Sequence, residues 1–260
     1  MTDLQDVAPS GRPLRRYRRG IFLLPSLFTV GNLFCGYACI VYTLQNDLAV
    51  AAPFIGIAII LDMLDGRIAR MTNTTSAFGV EFDSLADVIS FGVAPAVLAF
   101  QWGLSELGRV GWAAGFVYIG AAAMRLARFN IQSATQLDKR YFVGLPSPAA
   151  AGVVAATVFA WPTPLIGRTV ALAAMAVVLV PGALMVSRIR FRSFKTLNLG
   201  WGPLYRLLLF VLLVAFIAME PSIALVILSY GYLVSAFVEM AVTRHRVRRE
   251  ESPPPLPPAT

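Results

Sequence analysis

Charge is scarce in this chain. Only 14% of its 260 residues are Asp, Glu, Lys or Arg, where a soluble globular domain carries about 25%. That shortage excludes a soluble domain. Histidine is nearly absent, and the one copy, His245, falls in a basic tail where it reads as solvated. Two cysteines, Cys35 and Cys39, stand four apart on one helix face. That placement is poor for a disulfide, and a metal there would lack further ligands; they read as packing residues. No Gly-rich nucleotide loop and no internal repeat stands out. The polar, arginine-rich start before the first apolar run argues against a cleavable signal peptide.

What the chain does have is apolar residues, 57% of the total with a mean hydropathy of +0.69. They come in runs of roughly 20, the length that crosses a bilayer. Eight spans are expected, near 21–43, 49–71, 81–103, 110–131, 147–163, 168–187, 203–219 and 221–243, so the fold class is an all-α polytopic membrane protein. Pro53, Pro95 and Pro181 fall inside spans, which membrane helices tolerate. With the N-terminus placed in the cytoplasm, 20 of the 22 Lys and Arg residues lie on that side, and only Arg109 and Arg168 lie opposite. The positive-inside rule therefore supports eight spans with both ends cytoplasmic. The formal charge of +8 follows from that topology and implies no nucleic acid partner. It also suits an anionic leaflet. Beyond Arg249 the sequence is Pro-rich and reads as a disordered terminus.

Against this apolar background, four aspartates are conspicuous. The sequence runs Asp62-x-x-Asp65-Gly66-x-x-Ala69-Arg70, eight residues, then Gly79-x-x-x-Asp83-x-x-x-Asp87. Each carboxylate costs about 2.5–3.5 kcal/mol at the centre of a membrane helix. Asp62, Asp65, Gly66 and Ala69 follow helical spacing and share one face, with Arg70 at its edge. On the next helix Gly79, Asp83, Asp87 and Ser90 share another. Two helices joined by a short polar link thus present two carboxylates each to one cleft, within about two turns of the cytoplasmic helix ends. Gly66, Ala69 and Gly79 leave room for a ligand or a close helix approach. Left alone, four carboxylates repel. Hard divalent cations resolve this, and two could clamp a diphosphate, with Arg70 adding charge to the phosphates. The other reading of intramembrane aspartates is a proton or cation path in a cation-coupled transporter; the paired broken helices of such proteins are not evident. A purely structural scaffold gives no reason to keep four carboxylates together.

The complete pattern D-x-x-D-G-x-x-A-R-x8-G-x3-D-x3-D resembles the signature of the CDP-alcohol phosphatidyltransferase family, with every position filled. The resemblance implies a six-helix transferase core, here 21–187, after a basic segment 1–20. A basic loop 188–202, two additional helices 203–243 and a tail 244–260 would follow. It implies a divalent metal, Mg²⁺ or Mn²⁺, as two ions, with Asp62, Asp65 and Asp83 as ligands. Asp87 would be the catalytic base, also touching a metal. Gly66, Ala69, Arg70 and Gly79 would border the cytidine and diphosphate. A homodimer in a bacterial-type inner membrane, with the site near the cytoplasmic face, is implied as well.

Further segments, Phe28-Thr29-Val30-Gly31-Asn32-Leu33-Phe34-Cys35-Gly36, Phe82 to Pro95, Arg125-Leu126-Ala127-Arg128-Phe129-Asn130 and Gly144-Leu145-Pro146-Ser147-Pro148, are similar to the serine-accepting branch of that family. This implies CDP-diacylglycerol and L-serine as substrates, with phosphatidylserine and CMP as products. The same chemistry with glycerol 3-phosphate, choline or inositol is the nearest alternative. An amino-acid carboxylate needs a cation, for which Arg125, Arg128 and Asn130 are candidates beside plain positive-inside anchoring. Arg188, Arg190, Arg192 and Lys195 form a second cluster, better explained by anchoring. Thr29 and Asn32 are expected to reach the nucleotide or to hydrogen-bond between helices.

Overall fold

In lipid an apolar segment can satisfy its backbone N–H and C=O groups by winding into a helix, and this chain does so almost throughout. The computed structural model describes residues 17–72, 76–134, 141–187, 190–192 and 203–250. The helices are α1 (Tyr17–Leu44), α2 (Leu48–Thr72), α3 (Ala77–Asp87), α4 (Ala94–Trp102), α5 (Arg109–Ala134), α6 (Ser147–Ala160), α7 (Arg168–Val186), α8 (Pro203–Met219) and α9 (Pro221–Glu250). A π-helical segment, Val88–Val93, joins α3 to α4, so Ala77–Trp102 forms one span. The only strands among the described residues are β1 (Tyr141–Val143) and β2 (Arg190–Arg192), a short antiparallel ladder beside the ends of α6 and α7.

The protein is an integral, polytopic, all-α membrane protein, and the eight expected apolar segments are all helical. Five are long and apolar enough to cross a membrane: Ser26–Leu44, Leu48–Thr72, Ala77–Trp102, Arg109–Gln132 and Arg168–Val186. Three are shorter: Ser147–Ala160, Leu207–Met219 and Pro221–Ser235. The shortness of α6 has a physical reason. Its 14 residues reach about 21 Å, against a hydrocarbon thickness of about 30 Å, yet nine of them are buried. Packed against α2, α4, α7 and α9, α6 has protein around it where a peripheral helix has lipid. The last helix runs on to Glu250, past the expected end at 243. Arginine is a good helix former, and no proline interrupts before Ser252-Pro253.

At the end away from the aspartates, the chain closes with specific contacts. Trp102 Nε1 donates to the Trp161 carbonyl at 2.7 Å, and Leu165 N–H donates to the Trp102 carbonyl at 2.6 Å. The 3₁₀ turn Leu104–Leu107 folds onto α5, where a Cβ on Gly111 would sit 1.8 Å from the Leu104 carbonyl oxygen. At the aspartate end, Gly144 has φ +89°, and a Cβ there would meet the Met185 carbonyl oxygen at 2.4 Å.

The basic segment through Arg16, the interior of the link after α2, Lys139, Arg140, Arg188, Lys195 and the Pro-rich tail lie outside the described residues. Gly111→Ala should destabilise the detergent-solubilised protein by the roughly 1–3 kcal/mol of an overpacked site. A melting temperature equal to wild type would contradict the close packing of α5 on the 3₁₀ turn.

Candidate active site

The site is built on the hairpin of α2 and α3. Ser76 opens α3 as its N-cap, its Oγ accepting from Gly79 N–H at 3.0 Å. This cap sets the phase of α3 and so turns Asp83 and Asp87 toward α2. Carboxylate oxygens of Asp62, Asp83 and Asp87 then lie within 4.8 Å of one another. Asp65 stands beside this triad and is buried. Its Oδ2 accepts from Thr29 Oγ1 on α1 at 3.0 Å, and it reaches hydrogen-bonding separation from Asp83.

Three of the four expected aspartates, Asp62, Asp83 and Asp87, therefore converge, and Asp65, held by its hydrogen bond to Thr29, stands beside them. The donor set suits a hard divalent cation, because all its atoms are carboxylate oxygens. One of them, Asp83 Oδ1, is buried with no hydrogen-bond partner. A buried, unpaired carboxylate oxygen is costly, and a cation would relieve that cost. The residues fit a metal.

The small residues leave space on this face. A Cβ at Gly66 would meet nothing closer than Arg70 Nη2 at 3.9 Å, so the gap is not filled by a neighbouring helix. Ala69 is half-buried one turn along. Arg70 is exposed and folds back on its own helix, its Nε donating to the Gly66 carbonyl at 2.7 Å.

The two α1 residues expected near the nucleotide both meet aspartates. Thr29 serves Asp65, and Asn32 Nδ2 donates to Asp87 Oδ1 at 3.0 Å. The first of the three acceptor-site candidates is Arg125. It lies within electrostatic range of Asp62 and Asp87, donates to Ser147 Oγ at 2.8 Å, and sits 5.6 Å above the centre of the Phe129 ring. Arg128 donates to the Val186 carbonyl at the end of α7 at 3.3 Å, and Asn130 Nδ2 donates to Ser84 Oγ at 2.8 Å. Both brace helix ends around the site.

Ser147, Ser84 and Tyr232 had no assigned part in the sequence reading. Ser84 and Ser147 at least lay in branch segments, the second as the first residue of α6. Tyr232, on α9, comes within electrostatic range of Arg125; nothing in the spacing of α9 points toward α5. Of the second basic cluster, only the backbone of Arg190 and Arg192 is described, in β2.

Fold and site together define a polytopic membrane protein with an acidic, oxygen-only site at one end of its helices. Residues 22–187 match the CDP-alcohol phosphatidyltransferase model, and the chain belongs to that family. It is 40% identical over 223 residues to a Helicobacter pylori CDP-diacylglycerol–serine O-phosphatidyltransferase, covering 84% of this chain and 91% of that protein. A Bacillus subtilis protein of the same name is 35% identical over 173 residues, covering 66% and 91%. One from Saccharomyces cerevisiae is 41% identical over 140 residues, covering 48% and 50%.

Asp83→Asn should weaken Mn²⁺ binding, read by electron paramagnetic resonance of the purified protein. The loss should be at least the roughly 10–100-fold that even outer partners of a metal site cost. Unchanged Mn²⁺ titration would remove Asp83 from the ligand set.

Proposed function

We propose that this enzyme transfers the phosphatidyl group of CDP-diacylglycerol to L-serine, giving phosphatidylserine and CMP. The observation that carries the reading is the convergence of the Asp62, Asp83 and Asp87 carboxylates in a member of this family. Relatives named for the same reaction, two of them covered over 91% of their length, support the choice of serine.

Asp62, Asp83 and Asp87, with Asp65 alongside, would hold two Mg²⁺ or Mn²⁺ ions, which when bound neutralise the diphosphate and make CMP a good leaving group. The residues of the chain do the rest. Gly66, Ala69 and Gly79 leave space for the cytidine and diphosphate, and Arg70 adds positive charge at its rim. Asp87 takes the proton of the serine hydroxyl as its oxygen attacks the lipid-bearing phosphorus. The bond from that phosphorus to CMP breaks on the opposite side. Positioning and electrostatics supply most of the acceleration, as in other phosphoryl transfers. Arg125 faces the serine carboxylate, oriented by Ser147, and Arg128 and Asn130 support that wall.

The excess of Lys and Arg on one side supports a cytoplasmic site and cytoplasmic termini. Eight crossings and a homodimer belong to the same proposal.

Purified protein in detergent with CDP-diacylglycerol and Mn²⁺ should release CMP with L-serine, form phosphatidylserine, and stop on addition of EDTA. Release only with another alcohol would overturn the acceptor. Asp87→Asn should keep CDP-diacylglycerol binding and lose the roughly 10²–10⁴-fold that a general base contributes; normal turnover would remove Asp87 as the base. Arg125→Gln should raise the KM for L-serine about 10–100-fold, the worth of a hydrogen bond to a charged group. An unchanged KM would assign Arg125 to anchoring.

A further inference from the structure

Asn32 is fully buried on α1, and its Nδ2 meets Asp87 Oδ1 at 3.0 Å. A carboxylate attracts the NH₂ side of a carboxamide and repels the oxygen side, so charge fixes which way the amide faces. Oδ1 of the same carboxamide is then left buried with no hydrogen-bond partner. A polar side chain kept at such a cost is there for what its N–H groups do.

The amide is itself gripped. Ser90 Oγ donates to the Asn32 backbone carbonyl at 2.9 Å. Gly36, one turn along α1, makes this approach possible: a Cβ there would lie 2.5 Å from Ser90 Oγ and 2.8 Å from Ser90 Cα. Ser90 belongs to the π-helical segment that begins immediately after Asp87, and π segments concentrate at functional sites. Asp87 and Ser90 thus hold one residue of α1 at two points, side chain and carbonyl. A carboxylate with one oxygen on a fixed donor has a fixed plane, and its second oxygen has a fixed place.

We propose that Asn32 is the positioning residue of Asp87. It orients the carboxylate that receives the acceptor's proton, and it touches neither the nucleotide nor the acceptor. Thr29, three residues earlier, gives Asp65 the equivalent bond, so one face of α1 sets the angle of a carboxylate on each arm of the hairpin. The proposal rests on the reading of Asp87 as the base.

The test compares wild type, Asn32→Leu, Asp87→Ala, their double variant and Ser90→Ala, with CMP release, CDP-diacylglycerol KM and Mn²⁺ binding as readouts. Asn32→Leu keeps the branched shape of the side chain and removes the donor. At saturating Mn²⁺ it should lower kcat about 10–100-fold, as loss of an outer partner does, with KM held within about twofold. In the Asp87→Ala background it should cost nothing further, the coupling expected of residues that act together. Ser90→Ala should lower kcat several-fold at unchanged KM.

An Asn32→Leu kcat equal to wild type would overturn the proposal, as would the same fractional loss with and without Asp87. A raised KM at unchanged kcat would assign Asn32 to the nucleotide instead. If Asn32→Leu does not fold, Ser90→Ala decides alone, and a wild-type kcat there overturns the proposal. Should wild type release CMP with another alcohol and not with L-serine, the acceptor reading fails by itself. The same comparison is then run with that alcohol.

Discussion

Carboxylates repel each other most strongly where the dielectric is low, and the aspartate end of this bundle is organised around that fact. Four of them sit in helices whose other faces carry Met63, Leu64, Phe78 and Leu85 exposed to the surroundings. Three kinds of neighbour offset the cost. Thr29 and Asn32 donate from α1, Arg125 brings opposite charge from α5, and the Asp83 oxygen left unpaired suits a cation. Each offset requires another helix at a set distance. Removing the aspartates would leave Asn32, Ser147 and Arg125 without a reason for their burial.

The tight packing follows from the same requirement. Hydrogen bonds from α1 to both arms of the hairpin demand close helix approach, which Gly36 permits at Ser90. Small residues let helix backbones come together where lipid gives no hydrophobic drive. The buried face of α6 is likewise rich in alanine and valine. That helix matters to the site because Ser147, its first residue, holds the Arg125 guanidinium. Gly144 and Leu145 fix where α6 begins, the second by a backbone bond to the Leu184 carbonyl. A short buried helix thus carries position from the centre of the bundle to the charge facing the aspartates.

Much of this was legible in the residues. Helix spans follow from apolar run length, and the two carboxylate faces follow from 3.6-residue periodicity. The family signature marks the hairpin itself. Pairings between distant segments could not be read that way. Thr29 and Asn32 stood out as polar residues in an apolar helix, yet spacing along α1 says nothing about which aspartate lies across from it. Arg125, Arg128 and Asn130 look equivalent in sequence; the structure separates them by partner, Arg125 meeting Ser147, Arg128 the Val186 carbonyl and Asn130 Ser84. The π-helical segment after Asp87 is invisible to periodicity, since a single widened turn barely shifts an apolar pattern.

The family match ends at residue 187, before α8 and α9, but the site's surroundings do not end there. Tyr230 shares a hydrogen bond with Thr157 at 3.0 Å, and Ser229 donates to the Gly152 carbonyl at 3.4 Å, so α9 is tied to α6 by polar contacts. Tyr232 extends the same stretch of α9 to within electrostatic range of Arg125. Between them, Ser147 and Tyr232 approach one guanidinium from a helix inside the matched region and a helix beyond it. The surroundings of Arg125 are therefore shared between α6 and α9. The converging aspartates belong to the α2–α3 hairpin inside the matched region, whereas the surroundings of Arg125 draw also on a helix that lies outside it.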